Sequence, residues 1–310
     1  MTVNAKTEKR YWIHAVTPLH VGSGRGVGYI DLPVAREKVT NWPYIPGSAV
    51  KGVVADHFGA TDAERKANAL ARAAFGTAND GDTTEANSTA GSLVFTDARI
   101  VCLPIRSFYG TFAWVTSPFC LERLKRDLRL ELPALRTKAA LLTSSTRLAK
   151  EDDPKLYLED LDLDTSKSEE ATAYAQAIAG AVFADRPEWQ TIFCERFAVV
   201  SDDIFTFLSE TGTQVDAHIR IEEETGVVAS GALWYEESLP VETVLAGTVW
   251  CDRVYAKKGE KNGVTKGELL SKFCGEPLGL QIGGKASTGK GRVRCLFELF
   301  EANGTPTETC

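Results

Sequence analysis

The stretch TPLHVGSGRGVGYIDLPVAREKVTNWPYIPGSAVKGVVADHF, Thr17 to Phe58, holds most of the chain's unusual chemistry in about one βα unit. Just ahead of it an apolar run (Trp12, Ile13, Ala15, Val16) ends at Pro18 and reads as a strand. His20 then opens a loop with glycines at 22, 24, 26 and 28. Glycines at alternate positions let backbone N–H groups approach a ligand with no Cβ in the way. The loop closes on Tyr29, Ile30 and a single carboxylate, Asp31, and the cations Arg36 and Lys38 follow. Pro46 and Gly47 lead into a helical run through Ala49, Val50, Val53 and Val54, with Ser48 predicted as its N-cap and Lys51 in its first turn. A cation beside the free N–H groups of a helix start is opposed by the macrodipole unless an anion sits there too, so phosphate is the first ligand to consider. The same residues also read as a plain surface loop with Asp31 in a turn, and the rest of the chain has to separate the two readings.

Composition narrows the classes. A chain of 310 residues with 44% hydrophobic and 25% charged residues has room for an ample core, as two domains or as one with large insertions. No run approaches the ~20 apolar residues of a membrane span. The opening MTVNAKTEKR is polar, so no secretory leader is expected. Seven scattered cysteines, none in a C-x-x-C pair, predict reduced thiols in a cytoplasm and argue against a disulfide framework or a zinc site. The net charge of −7 disfavours a polyanion partner taken alone, but it is unevenly spread. The acid gathers at 151–170 and at Glu222–Glu224, while 25–51 and 285–294 are basic, and local field decides polyanion binding.

Further along, Thr61 and Glu64 form a capping-box pair for a helix through about Phe75. Residues 76–92 collapse to small and polar types and read as a loop or insertion. LVFTDARIVCLPI (93–105) is β-rich, and the aromatics Phe108, Tyr109, Phe112 and Trp114 after it are read first as core. Pro118 begins an amphipathic helix with Phe119, Leu121, Leu124 and Leu128 on one face. The acidic 151–170 alternates Leu with Asp or Glu, as an exposed hairpin or irregular insertion. Helices are predicted over 171–183 and 188–197, with 205–208 closing that block. Val215 to Tyr235 reads as a hairpin turning at Glu224-Thr225-Gly226, Val244 to Trp250 as a strand, and Lys266 to Phe273 as a short helix. The chain closes as strand, glycine loop and strand: 278–282, GGKASTGKG, then 292–299. Mixed helices and antiparallel hairpins indicate an α+β fold with a ferredoxin-like sheet and a helical insertion.

The late glycine loop, Gly284 to Gly291, falls one residue short of a Walker A motif. That motif needs a hydroxyl after its lysine and a helix behind it. Here Gly291 replaces the hydroxyl and a period-two strand follows, so a nucleotide-hydrolysing P-loop is rejected. What remains is a glycine loop whose backbone and cations, Lys285, Lys290, Arg292 and Arg294, suit a phosphodiester backbone, or a glycine hairpin with solvated lysines.

Taken together, IGGKASTGKGRV (282–293), LHVGSG (19–24), GYIDLPVAREK (28–38), PYIPGSAVKG (43–52), LVFTDARI (93–100), PIRSFYGTFAWVTSP (104–118) and ALWYEESLP (232–240) resemble the RAMP superfamily. Within it they are similar to the repeated backbone subunits of the Cmr complex, the type III-B CRISPR effector. The resemblance runs from about residue 11 to 300 and is weakest at 76–92 and 150–210. It implies one RAMP domain over 1–310: an RRM-like, ferredoxin-like palm (about 10–60, 93–117 and 240–300), a helical insertion (about 118–210) and a β-hairpin thumb (about 214–231). It implies CRISPR guide RNA, target single-stranded RNA, further copies of the chain and other effector subunits as partners, and no membrane. Target RNA would be cut at regular intervals, with Asp31 in the pattern I-D-x-P as the catalytic and metal-holding residue. His20 and Glu236 are implied at the same site, with a loosely bound divalent cation, Mg or Mn, as cofactor. RNA contacts are expected from Gly22, Ser23, Gly24, Arg36, Ser48, Lys51, His218, Arg220, Gly283, Gly284, Lys285, Lys290 and Arg292. Two other functions fit the same residues: a non-catalytic RNA-binding filament subunit, and a stand-alone endonuclease for CRISPR precursor RNA.

Overall fold

β1 (Glu8–Ala15) is buried over most of its length, and its second half is apolar apart from His14, because both its faces are covered. Tyr11 and Ile13 turn to one side of the sheet and Trp12 to the other, and all three are buried. The computed structural model describes residues 7–24, 30–59, 62–77, 89–222, 224, 226–255 and 263–300. The glycines at 26 and 28, Arg25, Tyr29, Thr61, most of the 76–92 loop, Glu223, Thr225 and Cys310 lie outside the described residues.

After β1, the short β2 (Tyr44–Ile45) leads into α1 (Gly47–Phe58), α2 (Asp62–Ala67) and α3 (Ala69–Phe75). β3 (Gly76–Thr77) pairs with β4 (Thr89–Ala90), and β5 (Val94–Phe95), β6 (Ala98–Arg106) and β7 (Phe112–Thr116) return to the main sheet. Next come α4 (Pro118–Leu128), β8 (Ala140–Leu142), β9 (Lys155–Leu158) and β10 (Leu161–Lys167). Then follow α5 (Glu169–Val182), α6 (Pro187–Glu195), β11 (Phe197–Val199) and α7 (Asp202–Thr211). A hairpin of β12 (Gln214–Ile221) and β13 (Val228–Ser238) precedes β14 (Val244–Trp250), α8 (Lys266–Phe273), β15 (Leu278–Gln281) and β16 (Arg292–Leu299).

One sheet of 12 strands runs β15-β16-β1-β14-β6-β7-β11-β8-β10-β9, with β2 beside β6 and β5 beside β14. Its inner part, β16-β1-β14-β6, is antiparallel. Taken in chain order those strands stand fourth, first, third, second, with α1 and α8 in the two crossovers, which is the ferredoxin-like βαββαβ arrangement. On one side Tyr11, Ile13, Val50, Val54, Leu269 and Phe273 share a core. On the other, Trp12, Trp114, Tyr174, Phe183, Phe193 and Leu296 share a second. Burial of such aromatics at about 25 cal/mol per Å² is the main term holding the layers together.

Several local expectations need correction. The N-cap of α1 is Pro46, with no side-chain cap bond, and Ser48 sits inside the helix. Proline's fixed φ and the Gly47 amide, which donates to Asp97 Oδ1 at 2.8 Å, set that start instead. The helix predicted through Phe75 breaks at Asn68, whose side chain accepts from the Leu70 and Ala71 amides and starts α3 afresh. Phe119 is 48% exposed and Cys120 takes its place on the buried face of α4. The aromatic group divides: Trp114 is core, whereas Phe108 is 78% exposed. The 118–210 segment is also less purely helical than expected, since β8, β9, β10 and β11 extend the sheet beyond β7. The Leu–Asp alternation of 155–167 is the half-buried hairpin β9–β10, with Glu159 at φ 48 in its turn.

Candidate functional site

β13 is the residue row on which the site is assembled. Its alternation sends Trp234 and Glu236 to one face and Leu233, Tyr235 and Glu237 to the other. Two acids in succession inside a strand must therefore be satisfied from opposite sides, and two glycine-bearing loops do this.

On the first face stands the late loop. Glu236 is fully buried, with Lys290 Nζ 2.8 Å from Oε1 and Lys285 Nζ 3.1 Å from Oε2. Burial pushes its carboxyl up, but the two ammonium groups more than reverse this and hold it below the usual range. Lys290, itself 8% exposed, also meets Asp216 at 2.9 Å and Ser238 Oγ at 3.1 Å. Burial pushes the Lys290 ammonium down, and Glu236 and Asp216 outweigh it and raise it. His218 stacks on Trp234 with ring centroids 5.6 Å apart, its Nε2 3.9 Å from Glu236. Lys285 lies 5.8 Å from the same indole ring.

On the second face stands the early loop. Leu32 bridges β13 in parallel: its N–H donates to the Tyr235 carbonyl, and the Glu237 N–H donates to the Leu32 carbonyl. This fixes Asp31, which is exposed and whose Oδ2 accepts from the Tyr235 N–H at 2.8 Å. His20 is buried to 6% exposure, its Nδ1 2.6 Å from the Glu237 carbonyl. A carbonyl only accepts, so Nδ1 carries the proton and Nε2 keeps the lone pair in the neutral ring.

The two loops meet at His20. Its carbonyl accepts from the Gly284 N–H at 2.9 Å, and a Cβ on Gly283 would stand 2.1 Å from that oxygen. A Cβ on Gly22 would lie 3.0 Å from His20 Nε2. Close approach thus requires glycine at 283, while at 22 it spares the His20 ring a tight contact.

Of the residues named from the sequence, Asp31, His20, Glu236, His218, Lys285 and Lys290 are brought together with Gly22, Gly283 and Gly284. Ser23 donates its N–H to the Pro33 carbonyl at 3.1 Å, and Gly24 follows at φ 76. Arg36 is not displayed outward: it donates to Glu237, to the Asn41 carbonyl at 2.9 Å and to the Ser209 carbonyl at 3.0 Å. Lys290 is likewise committed inside the chain. Arg220 and Arg292 are exposed, on β12 and β16. Lys51 is half-buried on α1, and that burial lowers its pKa. Ser48 lies on the same helix and is exposed. Sequence reasoning missed Glu237, Asp216, Trp234 and Thr213. The legible signal was the acid doublet 236–237 within an apolar strand.

Among the described residues no three His, Cys, Asp or Glu side chains stand close enough to hold a metal ion. Asp31 offers one carboxylate, and Glu236 is spent on lysines, so the donors among the described residues do not fit a resident metal. A cleft of about 480 Å³ opens elsewhere, beneath α4 and beside Gly247 and Thr248. Its charges are neutralised within the chain, Arg123 and Arg99 by Glu37 and Arg99 also by Asp127.

A ferredoxin-like domain whose last two strands enclose a glycine loop, with an inserted hairpin leaning on that loop, defines the class. The chain belongs to the RAMP superfamily, whose family profile matches residues 12–294. It is 34% identical over 300 residues to the CRISPR system Cmr endoribonuclease Cmr4 of Pyrococcus furiosus, covering 94% of this chain and 96% of that protein. It is 24% identical to the CRISPR system CMR subunit Cmr4 of Saccharolobus solfataricus, over 92% of this chain and 94% of that one. In fold it is similar to oligomeric Cmr4 from Pyrococcus furiosus, with a TM-score of 0.67, 24% identity, and 96% and 100% of the two chains covered. A chain of the type III-B Cmr-beta complex bound to cognate target RNA superposes with a TM-score of 0.68, 21% identity, and 94% and 96% covered.

Proposed function

We propose that the chain is the guide-RNA-binding backbone subunit of a type III-B CRISPR effector, that copies of it form a filament with other effector subunits, and that it cleaves bound target RNA as an endoribonuclease. The observation carrying this reading is Asp31: an exposed carboxylate pinned by one oxygen to the Tyr235 amide, two residues along β13 from the Glu237 carbonyl that holds His20, in a chain 34% identical to a Cmr endoribonuclease. Pinning Oδ2 leaves Oδ1 to face substrate.

Cleavage needs no protein nucleophile, because the ribose 2′-OH can attack its own phosphate. The 2′-oxygen gives up its proton and bonds to phosphorus, the P–O5′ bond breaks, the leaving 5′ oxygen takes a proton from water, and a 2′,3′-cyclic phosphate and a 5′-hydroxyl result. Asp31 is assigned to accept the 2′ proton or orient that hydroxyl, and His20 to hold the loop with its fixed tautomer. The hairpin's exposed Ile219, Ile221, Val228 and Leu233 would separate a nucleotide from its stack and free the phosphate for in-line attack. Arg220, Arg292 and Lys51 would hold guide backbone. A divalent cation, Mg or Mn, would be brought to Asp31 by RNA phosphate and not held by the chain alone. A cytoplasmic setting belongs to the proposal: Cys102, Cys120, Cys194, Cys251, Cys274 and Cys295 are free thiols, and among the described residues no helix is long and apolar enough to cross a membrane.

The test is single-turnover cleavage by the guide-loaded assembly with and without Mg or Mn. Asp31→Ala removes no buried apolar area, so target affinity should stay at the wild-type value while cleavage falls by at least ~10²-fold. Wild-type cleavage by the alanine variant would leave an RNA-binding filament subunit in which Asp31 serves only the loop.

A further inference from the structure

Glu237 is the point where both candidate catalytic residues are tied to one strand. It is buried to 2% exposure, and every polar group it owns is spent on the Asp31 and His20 loop or its supports. Its carboxylate accepts from the Val34 N–H at 2.9 Å, from the Thr213 hydroxyl at 2.9 Å, and from the Arg36 guanidinium. Its N–H donates to the carbonyl of Leu32, the residue after Asp31, at 3.0 Å. Its own carbonyl accepts from His20 Nδ1 at 2.6 Å. The neighbouring Glu236 makes none of these bonds, because alternation turns it to the lysine loop on the other face.

We propose that Glu237 is the positioning residue of this site: its carboxylate fastens the segment after Asp31 to the base of the hairpin, so that Asp31 and His20 keep one spacing. It touches no RNA in this account and acts through the loop. Arg36 completes the clamp by donating to Glu237 with one guanidinium nitrogen and to the Asn41 and Ser209 carbonyls with another, which links the loop to the end of α7. The inference rests on the cleavage reading above. Its force comes from chemistry: a buried carboxylate with three donors holds what it touches far more firmly than a neutral acceptor could.

Glu237→Gln keeps the shape but removes the charge, and turns an NH₂ group toward Arg36 or Val34, both donors. Glu237→Asp keeps the charge for Arg36, which protects folding, but withdraws the oxygens from the Val34 N–H. In guide-loaded assemblies both variants should cleave target about 10²-fold more slowly in single turnover, the loss typical of a misplacement near 1 Å. Target affinity and the shape of the pH–rate profile should not change, since neither RNA contacts nor the proton carrier is altered. Amide hydrogen exchange at Val34 should quicken in both, and melting should show both to be folded. Wild-type cleavage by either folded variant overturns the proposal. So does a shifted pH profile, which would make Glu237 a proton carrier, or a loss of target affinity matching the loss of rate. If Asp31→Ala itself cleaves normally, the cleavage reading fails on its own. The exchange measurement then decides the clamp, and unchanged protection at Val34 rejects it.

Discussion

Lys290 and Glu236 form a buried ion pair whose pH behaviour has a definite sign. The Glu236 carboxyl is held below its usual value despite burial, so its contribution to stability is full above the unfolded value of ~4.3 and is lost as pH falls through the lower folded value. The Lys290 ammonium is raised, so its contribution is full below ~10.4 and is lost only as pH rises through the higher folded value. The pair should therefore stabilise the fold across the whole interval between those limits. Melting Glu236→Gln beside the wild type should give a constant difference at neutral pH that shrinks only in acid below about pH 4. A difference that changed between pH 6 and 8 would contradict the assignment. Lys290→Ala leaves the buried Glu236 carboxylate with Lys285 alone and should cost about 1–3 kcal/mol in chemical denaturation. At the sequence level Lys290 stood among the RNA-contacting cations. Its partners Asp216 and Glu236 lie 74 and 54 positions away, and nothing in the local pattern of GKGRV names them.

At the scale of elements, the late glycine loop combines two different demands for glycine. Gly283 and Gly289 have nearly the same φ, 82 and 83, but only Gly283 is crowded, by the carbonyl of His20. Gly289→Ala meets open space and should cost only the left-handed penalty of about 1–2 kcal/mol. Gly283→Ala adds a clash with backbone and should cost at least ~1 kcal/mol more, the usual scale of overpacking. Urea midpoints of the two variants measure the difference directly. Equal midpoints would mean that the loop does not rest on His20. The hairpin shows what an element-level reading could and could not reach. Its turn and alternation were legible in 215–235 because period-two patterning and a glycine turn are local. That its second strand runs past Tyr235 to Ser238, and so turns Glu236 and Glu237 to opposite sides, was not legible, since the readable alternation ends at Tyr235.

For the whole molecule, the useful quantity is how many cations remain to face a polyanion once the chain has used its own. Arg36 and Lys290 are consumed inside, while Arg292 and Arg220 are exposed and Lys51 is half-buried. Desolvation lowers the Lys51 pKa, and a phosphate beside it would reverse that direction. Each cation withdrawn from a guide phosphate should reduce the slope of log affinity against log salt by about 0.7 for single strands. Lys51→Ala with Arg292→Ala should thus flatten the guide-binding slope by about 1.4, independent of guide sequence. An unchanged slope would place the RNA on another surface.

By itself the sequence determined the α+β class, the strands at the two ends, the hairpin, the late strand–loop–strand and the special position of Asp31. Each of these is written in residues a few positions apart: alternation, glycine spacing, a Pro-Gly start. The tertiary structure decided which charges stay at the surface and which are spent. Arg36 meets Glu237 across 201 positions and His20 meets it across 217, and burial makes such pairs compulsory. The sequence named the cations without their partners. Only the tertiary fold, which sets the separate β12–β13 hairpin between two loops from opposite ends of the chain, assigned a partner to each.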